Sequence, residues 1–149
     1  MRIIVDADAC PVVALCEQVA KAHSLECVLV CDTAHELTSD YSTVITVSQG
    51  ADSADYKVVN TAKKGDIVVT QDYGLGAMCL SKGAYAINQN GMRYTDKNID
   101  SLLFFRAASA KARRAGKHLK GPKKRDPAQN EVFKSELEKL ILEINSVVC

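Results

Sequence analysis

Tryptophan is absent from the 149 residues, and five Tyr and three Phe are the whole aromatic complement. A stacking platform for single-stranded bases has little to be built from, so backbone charge is the better expected route to a nucleic acid. No apolar run reaches the ~20 residues needed to cross a bilayer, and no membrane partner is expected. The start Met-Arg-Ile-Ile-Val meets Asp6 after five residues. That is too short for a signal-peptide core, and a cytoplasmic location is expected. Six cysteines are present but no C-x-x-C pair. They read as free thiols, buried in all but Cys149, with a reactive Cys10 beside a helix N-terminus as the alternative. His23, His35 and His118 have no metal-ligand spacing, and no Ser–His or Cys–His arrangement is legible. No internal repeat is visible. The glycines of Tyr73-Gly74-Leu75-Gly76 fall short of a phosphate-binding loop.

Hydrophobic residues at 47% and charged residues at 25% exclude a disordered chain. At this length one domain over residues 1–149 is expected. The net charge of +1 conceals a block. Between Asp100 and Asp126 lie nine of the nineteen Lys and Arg and no acid, leaving ten bases against eighteen acids elsewhere. An acidic body with one basic segment suggests a polyanion gripped by the segment and a cation held by the body.

Residues 1–90 alternate. Strands are predicted at 2–5, 26–31, 43–47, 67–70 and 84–88, and helices at 11–22, 53–62 and 75–81. Gly65, Gly83 and Asn90-Gly91 mark breaks. Such alternation gives right-handed βαβ units and a parallel sheet of five strands. The strands are continuous apolar runs, as a sheet covered on both faces requires. Residues 96–149 add C-terminal helices, predicted at 99–115 and from Asp126-Pro127 onward, joined by a basic loop at 116–125. The last helix carries Phe133, Leu137, Leu140, Ile141, Ile144 and Val148 at helical spacing. That stripe docks on the body or, in a homo-oligomer, on a partner copy.

Ligands of open parallel sheets sit beyond the carboxyl ends of the strands. Asp6 and Asp8 follow the first strand, Asp52 and Asp55 the third, and Asp72 the fourth. Two such charges ~4 Å apart repel by about 4 kcal/mol at an effective dielectric near 20. A fold that gathers them needs a cation or raised pKa values. Oxygen-only ligands suit Mg²⁺ or Mn²⁺ rather than zinc. Each acid also has a plainer role. Asp52 suits a helix N-cap with Asp55 in the first turn, and Asp72 suits the cap of the next helix. Pro11 fits a first helical position, which makes Cys10 the cap and leaves Asp8 over.

Val-Asp-Ala-Asp-Ala-Cys-Pro-Val (5–12), Gly-Ala-Asp-Ser-Ala-Asp (50–55), Gly-Asp-Ile-Val-Val-Thr-Gln-Asp-Tyr-Gly-Leu (65–75) and Lys-Gly-Pro (120–122) together resemble the YaiI/YqxD family of bacterial proteins. That family is similar to PIN-like nuclease domains. The resemblance implies an α/β/α sandwich in which acids at strand ends bind Mg²⁺ or Mn²⁺ and phosphodiesters, commonly of RNA, are cleaved. By position it implies Asp6, Asp55 and Asp72 as catalytic carboxylates and metal ligands. PIN nucleases usually carry a further acid on an early helix. Here Glu17 and Glu36 match it weakly, and Asp8 and Asp52 are the candidates to compensate.

In the basic segment Ile99, Leu102, Leu103, Arg106, Ala110 and Arg113 share one helical face. Arg106 and Arg113 are therefore expected to point inward, toward the acids or a substrate phosphate. Arg114, Lys117, Lys120, Lys123, Lys124 and Arg125 are expected in solvent, as a phosphate-binding loop. Three functions follow: a Mg²⁺- or Mn²⁺-dependent nuclease acting on RNA; a haloacid-dehalogenase-like phosphatase with Asp6 as nucleophile and Asp8 as acid/base; and a nucleic-acid-binding module without catalysis. Against the phosphatase, Asp66 of its later acidic motif precedes the fourth strand rather than following it.

Overall fold

A computed structural model describes residues 1–32, 37–50, 53–116 and 124–148. In chain order the elements are β1 (Arg2–Asp6), α1 (Val13–Ala22), β2 (Glu26–Asp32), β3 (Thr43–Val47), α2 (Ser53–Thr61), β4 (Ile67–Val69), α3 (Tyr73–Ser81), β5 (Tyr85–Ile87), β6 (Arg93–Tyr94), α4 (Ile99–Arg114) and α5 (Pro127–Val148). The strands form one sheet in the order β3-β2-β1-β4-β5-β6. The first five run parallel, and β6 pairs antiparallel with β5. The sheet thus has one strand more than predicted.

The apolar strands are explained by the two faces they fill. Ile3, Val5, Leu29, Ile67, Val69 and Ile87 pack with Cys16 and Val19 of α1 and with Phe133, Leu137, Leu140, Ile141 and Ile144 of α5. Ile4, Val28, Val30 and Val68 turn to the other face and meet Val58 of α2 and Leu75 and Cys79 of α3. Period-two alternation within each strand therefore feeds two cores, and the result is a three-layer α/β/α sandwich. Phe133, Leu137, Leu140, Ile141 and Ile144 of the α5 stripe are buried against the chain's own sheet. A third cluster of Ala86, Tyr94 and Ile99, with Leu102 and Leu103 against it, seats the start of α4 beside α3. Gly76 makes room there: a Cβ on it would lie 2.9 Å from the Tyr94 ring.

Helix starts depart in detail from the sequence reading. α1 begins at Val13, and its cap, Val12, makes no side-chain cap bond. Cys10 is therefore not the cap. α5 opens as expected, with Asp126 Oδ1 accepting from Ala128 N at 2.9 Å. In return Gln129 Oε1 accepts from Asp126 N at 2.8 Å, a reciprocal capping pair.

From β1 the chain moves outward to β2 and β3, then returns to place β4 on the other side of β1. Between β1 and β4 the connections leave in opposite directions. That is the topological switch point, and a crevice opens beyond the carboxyl ends of those two strands.

Candidate active site

Asp6 is the last residue of β1, and Thr70 and Asp72 follow β4 directly across the switch point. Thr70 joins the two acids. Its hydroxyl donates to Asp6 Oδ2 at 2.9 Å and accepts from the Asp72 backbone N–H at 3.0 Å. Thr70 is itself 2% exposed, its N–H donates to Ile87 O, and its carbonyl accepts from the Tyr94 hydroxyl at 3.1 Å. Both bonds of the Thr70 side chain are thus fixed by a rigid frame. The sequence reading, confined to acids, missed this residue; its only signal was a hydroxyl at a strand end two residues before an aspartate. Thr70→Val, which keeps the shape and removes both side-chain bonds, is expected to lower stability by about 1–3 kcal/mol, read from denaturant midpoints.

Asp72 serves as cap and cleft wall at once. Its Oδ1 accepts from Gly74 N at 2.8 Å, Leu75 N at 3.2 Å and the Arg106 guanidinium at 3.0 Å. Asp8, expected to be left over, instead receives Asp32 N on both carboxylate oxygens, at 3.2 and 3.3 Å, and ties the β1–α1 loop to the end of β2. Ala9 beside it holds a left-handed φ of 57°, and its carbonyl accepts from Gln71 Nε2 at 3.0 Å. Asp55 sits in the first turn of α2. Asp52 and Glu36 lie outside the described residues. Glu17 instead accepts from Ser39 Oγ at 2.5 Å.

Asp6, Asp8, Ala9, Gln71, Asp72, Tyr73 and Arg106 line a cleft of about 470 Å³. A second opening of about 240 Å³ takes in Asp55 and Tyr56 and shares Asp72 and Arg106 with the first. Among the described residues lining the two, four are aspartates and Arg106 is the one cation. The consequence appears at Asp6. Burial pushes its carboxyl up to about 6, the Thr70 bond opposes this, and the charges of Asp55, Asp8 and Asp72 add to the rise. The carboxyl pays for its burial unless positive charge comes to it. Among the described residues no three His, Cys, Asp or Glu side chains stand grouped to hold a metal ion by themselves.

The basic residues are corrected more strongly. Arg106 does meet one of the acids, as expected, but from an exposed position rather than a buried one, and Arg113 does not point inward. Arg106 is 56% exposed at its side chain and reaches back over α3 to Asp72. Arg113 and Arg114 are exposed toward the end of α4. α4 packs through Ile99, Leu102 and Leu103 beside α3 and Tyr94, and just beyond them Phe104, Phe105 and Arg106 are exposed. Lys124 is exposed, while Lys117, Lys120 and Lys123 lie outside the described residues. Arg125, expected in solvent, is half-buried and bonded through all three guanidinium nitrogens. Nε donates to Asn130 Oδ1 at 2.9 Å, one Nη to Asn90 Oδ1 at 2.7 Å, and the other to Gln89 O at 2.8 Å. Cys10 is no activated thiol, since burial pushes it up. Asp66 is buried at the opposite end of the sheet, paired with Arg2 at 2.8 Å.

The family described as "Uncharacterized BCR, YaiI/YqxD family" matches residues 4–143. The chain belongs to that family. Similar relatives in the YaiI/YqxD family, each called a UPF0178 protein, come from Clostridium acetobutylicum, Clostridium novyi and Ruminiclostridium cellulolyticum. The first is 48% identical over 144 residues, 95% of this chain and 97% of the relative. The second is 52% identical over 141 residues, 95% of each chain. The third is 50% identical over 137 residues, 92% of this chain and 90% of the relative. No solved structure matches this YaiI/YqxD-family chain.

Proposed function

We propose that this chain is a Mg²⁺- or Mn²⁺-dependent nuclease that hydrolyses phosphodiesters in RNA. The observation that carries the reading is Asp6: a partly buried carboxyl at the switch point, pushed up to about 6, with three further aspartates acting on it. Perturbed groups of this kind collect at reacting centres.

The donor set fits a hard cation, being carboxylate oxygen throughout. The absence of a ready three-residue group among the described residues fits an ion that keeps much of its water and takes one or two carboxylates directly. One or two of Asp6, Asp55 and Asp72 would hold it directly, and the rest, with Asp8 and Asp52, would act through its water. When bound, such a cation polarises a phosphate and makes a water nucleophilic near neutral pH. The protein's own part is positional. Thr70 fixes the Asp6 carboxylate against the Asp72 backbone. Arg106, anchored on Asp72, presents its remaining N–H donors at the cleft mouth, where a phosphate oxygen can accept them. Arg113, Arg114, Lys117, Lys120, Lys123 and Lys124 supply the sequence-independent attraction to the strand. Arg125 drops out of that group because its three nitrogens already have protein partners.

RNA incubated with the protein is expected to be cut in millimolar Mn²⁺ and left intact in EDTA, with Asp72→Asn as inactive control. RNA that stays intact in both, while still bound in a salt-sensitive way, would leave a binding module and end the nuclease reading.

A further inference from the structure

Next to the acid cleft lies a second polar pocket with different chemistry. It has a volume of about 350 Å³ and shares Ala9 and Gln71 with the cleft. Its other polar walls are Gln89, Asn90, Arg125 and Gln129, and no acid is among the described residues that line it. Internal bonds fix which way three of its amides face. Gln71 gives its Nε2 to Ala9 O, which leaves Oε1 as an acceptor. Asn90 Oδ1 accepts from Arg125, which leaves Nδ2 as a donor. Gln129 Oε1 accepts from Asp126 N, which leaves Nε2 as a donor. The backbone that carries Asn90 is rigid, since Asn88 Oδ1 accepts from Asn90 N and Met92 N, each at 2.9 Å. Gln89 adds a buried side-chain oxygen, Oε1, with no hydrogen-bond partner among the described residues. Buried acceptors are seldom left so, and a water or a ligand group commonly completes them.

Among the described residues lining it the one cation is Arg125, which is bonded at every nitrogen rather than free for a phosphate. Neutral amides that present donors and acceptors together are the complement of a base edge, and unstacked bases of single-stranded RNA are read in this way. We propose that the amide pocket reads one nucleobase of the strand whose phosphate occupies the adjoining acid cleft, and so gives the chain a base preference at its site. The inference rests on the nuclease reading for the position of the strand, but it can be tested without cleavage.

Binding of four short homopolymer RNAs, of A, C, G and U, is measured in EDTA at moderate salt by fluorescence anisotropy. One base is expected to bind about tenfold or more tightly than the weakest, the discrimination a well-placed amide provides. Gln71→Ala and Gln129→Ala are each expected to narrow that ratio. Gln71 is exposed, so its variant is expected to fold normally; melting curves check both. Equal affinities for the four polymers, no binding to any, or a preference that both variants retain would each overturn the pocket's role. A base preference in EDTA with RNA left intact in Mn²⁺ would keep the pocket and remove the nuclease. Cleavage in Mn²⁺ without a preference would do the reverse.

Discussion

Asp6→Asn is expected to lower Mn²⁺-dependent RNA cleavage by at least about a hundredfold, more than losing a group that only orients a ligand. The same variant is expected to make the metal-free protein more stable above about pH 6. The two effects share one cause. Asp6 titrates near 6 when folded and near 3.8 when the chain is unfolded. Between those values the folded state holds a proton that the unfolded state has lost. Stability is therefore fully present below about pH 4 and drains away as pH rises through 6, by about 1–3 kcal/mol for this group. Asparagine has no proton to lose and still offers Thr70 an acceptor, so the variant keeps what the wild type forfeits. Mn²⁺ restores the wild type by binding the folded state alone, and it has less to bind in the variant. Melting curves for both proteins from pH 4 to 8, in EDTA and in Mn²⁺, separate these effects from acids common to both. Identical pH profiles in EDTA would show that the Asp6 carboxyl is not strained by its neighbours, and the metal-site argument would lose its support.

The body of the fold was legible because burial on two sheet faces writes itself as uninterrupted apolar runs. Ile3-Ile4-Val5 and Ile67-Val68-Val69 could be nothing else at that length, and their order placed Asp6 and Asp72 at one edge. The strand β6 escaped because it is two residues long, Arg93–Tyr94, and carries no apolar run. Its trace was the Asn90-Gly91 turn, read only as a break. The face of α4 was misjudged for a different reason. Helical period tells which residues share a side; it does not tell whether anything lies opposite. Ile99, Leu102 and Leu103 have the edge cluster to pack on, and Arg106 lies beyond it. Asp72 shows that the two readings of an acid, cap and cleft, need not compete, since its Oδ1 caps α3 while holding Arg106. Asp8 is tied to β2 across 24 residues of sequence, a contact that no local pattern announces.

Arg125→Ala is expected to destabilise the protein by about 2–3 kcal/mol, where its neighbour Lys124→Ala changes stability by less than about 0.5 kcal/mol. By sequence the two are alike, adjacent cations at the end of a run of bases. Lys124 is exposed and has no ion pair or hydrogen bond among the described residues. Arg125 bridges the turn after β5 to the first turn of α5, through Gln89 O, Asn90 Oδ1 and Asn130 Oδ1. Truncating it leaves those acceptors half-buried without donors, and such a loss outweighs the modest gain from making the bonds. Arg125→Lys is expected to recover only part of the stability, because a single ammonium on a flexible stem cannot span three acceptors as a planar fork does. Denaturant midpoints for the three variants decide the matter. Equal midpoints for Arg125→Ala and Lys124→Ala would mean that Arg125 is a solvated charge after all, and it would rejoin the bases available to a phosphate backbone.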